Sequence, residues 1–192
     1  MQFVRNHLDY LENEISQVDA VIDTMIKKHE GLITLFTTIP SIKRDSVITI
    51  ISEIGYYMSQ FGSSKRLCCW AGLTPGNNEA TGKKKSVRIT RTGVYLKPAL
   101  VEVAHAAIKA TESPYYCIKY EKIAKRRGKK RAVIAIARMI LTAIFQMLST
   151  DEVWNPTDLV KIDMPEELKQ QQLQKQINQA VAFLKIQGIS VT

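Results

Sequence analysis

Cysteine is scarce in this chain. There are three in 192 residues, Cys68, Cys69 and Cys117, an odd number with no metal-ligand spacing. Two of them are neighbours, so they cannot form a two-cysteine knuckle. The pattern excludes a disulfide framework and a zinc site and points to a reducing cytoplasm. Also lacking is any apolar run approaching the roughly 18–20 residues that a membrane-spanning helix needs. The longest candidate, 132–148, is interrupted by Arg138. The opening MQFVRNHLDYLENEI is too charged for a signal peptide. Alternation with period two is confined to short pieces such as SVRIT, so no β architecture is expected.

What is present is a core-forming, basic chain. Hydrophobic residues make up 45% of it, which excludes global disorder. The formal net charge is +9, which favours a polyanionic partner, nucleic acid before membrane. The charge is clustered. From Lys83 to Lys97 there are six basic residues and no acid; from Lys119 to Arg131 there are eight with one acid, Glu121. Fourteen of the 27 Lys and Arg thus lie in two short segments. A solubility-driven surface would mix the signs more evenly; the alternative is two solvated basic faces.

Along the chain the first segment is helical. Leu8, Leu11, Ile15, Val18, Ile22 and Met25 step by threes and fours, a heptad seam uninterrupted by Gly or Pro before Gly31. A seam this narrow favours a partner helix over packing on its own domain. Pro40 then breaks the chain, Asp45 or Ser46 can cap a second helix, and Gly55 can close it. Two helices about a short turn flanked by Ile39 and Ile42 suggest a helix-hairpin-helix, which grips a DNA backbone through turn amides. The usual turn glycines are replaced by Ser41 and Lys43, so a purely structural hairpin competes with that reading.

SSKRLCCWAGL gives a short helix capped by Ser63 or Ser64, with Leu67, Trp70 and Leu73 apolar. VYLKPALVEVAHAAIKA is a mostly buried helix, and its His105 is expected to be a satisfied core residue rather than a catalyst. A basic helix begins near Pro114 and ends at Gly128, and a strongly apolar core helix follows. The Gln-rich tail carries Leu173, Ile177, Val181 and Leu184 at helical spacing. The expected fold class is all-α or nearly so. It divides into a coiled-coil helix (1–36), a helix-hairpin-helix-like domain with a basic loop (37–158), and a linker with an appended helix (159–192).

The chemistry concentrates in GLTPGNNEATGKKKSVRITRTG, from Gly72 to Gly93. Attack on a phosphodiester needs a hydroxyl, cations against developing charge and a backbone that can come close. Thr81 and Ser86 offer hydroxyls; Gly76 and Gly82 offer approach; Lys83, Lys84, Lys85, Arg88, Arg91 and Lys97 offer cations. No histidine stands near in sequence to act as base. Arg126, Arg127, Lys129, Lys130 and Arg131 form the second candidate nucleic-acid contact.

AGLTPGNNE, the GKKKS after it and RRGKKRA followed by AIARMIL, in that order over about residues 38–158, resemble the C-terminal domain of the DEDD insertion-sequence transposases. That group includes the pilin-gene invertases and bridge-RNA-guided recombinases. The resemblance implies a two-part enzyme acting on donor and target DNA, with guide RNA, in a dimer or tetramer held by the coiled coil. An N-terminal RuvC-like domain would hold divalent metal (Mg) on four acids. The C-terminal domain would supply a serine that becomes covalently joined to DNA.

On this resemblance the chain lacks the metal-bearing domain and is expected to be a fragment, inactive alone, of the prokaryotic cytoplasm and nucleoid. Where the family reads Glu-Ser-X-Gly, this chain reads Glu79-Ala80-Thr81-Gly82. Ala80 stands at the nucleophile's place. Thr81 is the catalytic candidate one residue on, ranked below loss of the hydroxyl, and Ser86 is assigned to phosphate contact. A non-catalytic oligomerisation and nucleic-acid-binding module is the competing function.

Overall fold

The computed structural model describes residues 1–76, 89–111 and 113–156, the main chain of 79–80 and 83–84, and nine tail positions between Gln170 and Leu184. Seven α-helices run through these residues: α1 (Gln2–Ile26), α2 (Glu30–Thr37), α3 (Arg44–Ile54), α4 (Ser64–Trp70), α5 (Leu96–Lys109), α6 (Tyr115–Arg127) and α7 (Lys129–Thr150). Short 3-10 turns occupy Lys27–His29 and Met58–Gln60. The fold is all-α, as the periodicity predicts. Its β content among the described residues is one antiparallel pair, β1 (Glu79–Ala80) with β2 (Lys83–Lys84).

α7 is the central element because it is apolar on more than one face. Ala132, Val133, Ile136, Ala137, Ile140, Leu141, Ile144 and Met147 recur at threes and fours and are all buried. It packs on α6, α5 and α4. Burying each Ile or Leu of that stripe is worth about 1.5–3 kcal/mol. At 22 residues, with mean hydropathy 1.9 over its most apolar window, α7 passes the length and composition test for a membrane span, beyond the shorter run read from sequence. Its stripe is instead engaged by neighbouring helices.

Helix ends follow local chemistry. Gly55 terminates α3 at φ +63, and its N–H reaches the Ile51 carbonyl at 2.8 Å. Ser63 caps α4, accepting from the Arg66 N–H at 3.3 Å. The expected cap of α3 is displaced. Lys43 holds the N-cap position with no side-chain bond, and Asp45 lies in the first turn, where its charge meets the helix dipole. Between α2 and α3, Ile39 and Ile42 are buried, and Ser41 takes φ +67, a left-handed geometry that glycine normally fills.

The two ends of the core domain meet. Thr38 is 5% exposed; its hydroxyl donates to the Leu35 carbonyl (2.7 Å) and accepts from the Trp154 N–H (3.1 Å). The Trp154 ring packs on Tyr115 and Tyr116, with centroids 5.6 and 5.8 Å apart. α1, by contrast, has no fully buried residue, and Ile26 at its end is the residue that packs against the core. Leu8, Leu11, Ile15, Val18 and Met25 of the seam are 42–69% exposed. Its last turn is tied to the domain by an ion pair of Asp23 with Arg44 at 2.7 Å. In the tail, Leu173, Ile177, Val181 and Leu184 are helical; Leu173 and Ile177 are exposed and the other two are half-buried.

One expectation from sequence, the burial of His105, is corrected here. His105 is exposed, because the buried face of α5 is Leu96, Leu100, Val103, Ala104 and Ala107 and position 105 falls off that stripe. Trp70 is 45% exposed and leans on Phe61, since α4 turns Leu67 and Cys68 inward.

Candidate nucleic-acid interface

The basic segment between α4 and α5 is a hairpin-like excursion closed at its base by backbone packing. Gly72 (φ +69) and Gly93 (φ +71) lie in left-handed geometry. A Cβ on Gly72 would stand 2.4 Å from the Thr92 carbonyl oxygen, and one on Gly93 would stand 2.3 Å from that of Ala71. Only glycine permits both the torsion and the approach. Further along, Pro75 bridges Ile89, then Glu79 pairs with Lys84 and Ala80 with Lys83. Sequence periodicity could not show this ladder, because each paired stretch is only one or two residues long.

Lys97 reaches back from the first turn of α5 and donates to the Thr90 carbonyl at 2.6 Å. The Thr90 and Thr92 hydroxyls are 2.9 Å apart beside it. Burial pushes the Lys97 ammonium below the usual lysine range. This cation therefore braces the base of the excursion. Arg91 is exposed beside it. For Ala80, Lys83 and Lys84 the described feature is main-chain pairing; Thr81, Lys85, Ser86 and Arg88 lie outside the described residues.

The second basic cluster sits on one corner, where α6 ends and α7 begins about Gly128. Lys125, Arg126 and Arg127 occupy the last turn of α6, where cations suit the negative end of the helix dipole. Lys129, Lys130 and Arg131 open α7, where they oppose its positive end with no acid in the first turn. All six are exposed. Among the described residues none of them forms a salt bridge. Six cations without an acid in the first turn of α7 make this corner strongly cationic, against the usual charge preference of a helix start.

Nucleophile and metal chemistry is sparse elsewhere. Cys68 is buried, with its sulfur 3.7 Å from the Thr142 hydroxyl, and burial pushes its thiol up. Cys69 is exposed and accepts from the Thr74 hydroxyl at 3.3 Å. Among the described residues no three His, Cys, Asp or Glu converge as metal ligands. Sequence reading passed over one exposed aromatic group, His29 with Tyr56 and Tyr57; the paired tyrosines after Gly55 were its signal.

No curated protein and no solved structure matches the chain. Residues 33–117 match the family model described as Transposase IS116/IS110/IS902 family. The match runs from α2 into the start of α6, so it contains the whole basic excursion but not the α6–α7 corner. Over that segment the chain is similar to the IS116/IS110/IS902 transposases, and the similarity supports a transposase domain.

Proposed function

We propose that this chain is the DNA-handling C-terminal part of a transposase or site-specific recombinase. In this reading it binds DNA, with guide RNA, as the nucleophile half of a composite strand-exchange site. The observation that carries it is the basic segment Gly72–Gly93, closed at its base by the approach of Gly72 and Gly93 to main chain, lying wholly inside the transposase-matched segment. Lys83, Lys84, Lys85, Arg88 and Arg91 would supply cations against charge developing on phosphate, Lys97 fixes the base, and the corner at Arg126–Arg131 would add a second cationic contact. In catalysis a hydroxyl oxygen bonds to phosphorus as a sugar oxygen leaves with the proton. The general base and the divalent metal would be supplied by a RuvC-like half. Copies associate through the exposed α1 seam.

A second reading is favoured by Ala80, which has no hydroxyl at the place of the family's serine: a non-catalytic oligomerisation and nucleic-acid-binding module. Trapping of a covalent DNA adduct after adding a RuvC-like half separates the two. An adduct at Thr81 supports the catalytic reading; an adduct only after Ala80→Ser supports the module.

Binding itself is tested by duplex affinity against salt. Each phosphate contact contributes about 0.9 to the log–log slope. Replacing Lys83, Lys84 and Lys85 together with alanine should lower affinity across sequences and flatten the slope by up to about 2.7. An unchanged slope removes the excursion from the interface.

A further inference from the structure

A surface aromatic cluster is formed by residues outside both basic segments. The His29 ring leans on Tyr56 with centroids 5.3 Å apart and planes tilted by 38°, and Tyr56 leans on Tyr57 at 4.3 Å and 45°. Tyr56 is 42% and Tyr57 68% exposed, so π faces are presented to solvent. The turn that carries them is pinned at both ends. Ile54 and Met58 are buried, and the Gln60 side-chain amide donates to the Ile54 carbonyl at 2.6 Å. The rings are thus preorganised, and a ligand would not have to order them.

Beside them is an open hollow of about 410 Å³, walled by Tyr56, Tyr57, Met58, Phe145, Leu148 and Ser149 with no acidic side chain. Gly62 completes its rim, and the Arg66 guanidinium lies over Gly62, 3.3 Å from where a Cβ there would stand. Lys27 and Lys28, both exposed, directly precede His29.

Exposed flat rings beside cations, on a pinned turn, suit a ligand with π faces and negative charge. Nucleobases stack on aromatic side chains regardless of sequence, while neighbouring cations take the phosphates. A duplex keeps its bases stacked inside and cannot use such rings. We infer that Tyr56 and Tyr57, with His29 and Arg66, form a stacking site for unpaired bases of a single-stranded nucleic acid. The inference rests on the reading of this chain as a nucleic-acid-handling protein.

The test uses the full chain with a short fluorescent single strand and the matching duplex. Tyr57→Ala should weaken single-strand binding by about 5- to 100-fold and leave duplex binding unchanged, and Tyr57→Trp should restore it. A 2-aminopurine base in the strand should be quenched by the parent and not by Tyr57→Ala. Tyr57 is largely exposed, so its removal leaves the core intact. Single-strand binding unchanged in Tyr57→Ala and Tyr56→Ala overturns the site and assigns the tyrosines to a protein partner. Equal loss on both probes also overturns it. If the parent binds duplex with the expected salt slope while the tyrosine variants hold the single strand normally, only this site falls. If the parent binds neither probe, the proposed function falls with it.

Discussion

Gly93→Ala tests whether the basic excursion is closed by backbone contact. The new residue would have to hold φ +71, which costs an L residue about 1–2 kcal/mol. Its Cβ would also stand 2.3 Å from the Ala71 carbonyl oxygen, closer than real contacts allow. That oxygen belongs to the main chain next to buried Leu67 and Leu73, so it cannot swing aside as a side-chain tip would. Torsion and contact together are expected to cost about 2–4 kcal/mol, within the range of severe single substitutions. For a domain of this size each kcal/mol moves the melting temperature by about 2–4 °C, so the fall should be roughly 4–16 °C.

Gly31→Ala is the matched control. Gly31 is helical, a Cβ there meets nothing within 4 Å, and alanine should gain about 0.5–1 kcal/mol. Thermal melts followed by far-UV circular dichroism read both. A Gly93→Ala protein that melts with the parent, beside a Gly31→Ala protein that behaves as expected, would refute the close approach of Gly93 to Ala71.

Thr38→Val keeps shape but strips the acceptor from the buried Trp154 N–H; urea unfolding should show a loss of about 1–3 kcal/mol. The Cys68 thiol is raised by burial above its ordinary value of 9.0, so its contribution to stability is full below that pH and is lost as pH rises through the folded-state value. Melts across alkaline pH should therefore fall more steeply for the parent than for Cys68→Ala. On the proposed pairing of copies through the α1 seam, Asp at Ile15 and Val18 should shift sedimentation to the monomer and leave the core domain folded, because neither side chain is buried in it.

The helical class was legible because apolar residues recur at threes and fours through α5 and α7, and the helix ends at Gly55, Ser63, Pro114 and Gly128 were legible because their chemistry is local. His105 was misjudged by the apolarity of its neighbours. The spacing of Leu100, Val103, Ala104 and Ala107 already put position 105 outside the buried stripe. The closure of the excursion was hidden, since nothing local distinguishes Gly72 and Gly93 from ordinary turn glycines; their role depends on each facing the other's neighbour. The charge of the corner at Gly128 was plain in sequence, but its conflict with the α7 dipole emerged only once the helix start was fixed at Lys129. The adjoining rings of His29 and Tyr56 come from different elements and left no periodic trace.

The bond between Thr38 and Trp154 joins positions far apart in sequence, and it places the chain's way into the core beside its way out. Tension between α1 and the tail would therefore not be spread through the α5–α7 stack. It would first load the exposed Asp23–Arg44 pair and then open the fold at that one corner, where the Thr38 hydroxyl and the Trp154 ring hold the two ends together. Mechanically the domain is a closed clasp whose catch is that buried hydroxyl and ring.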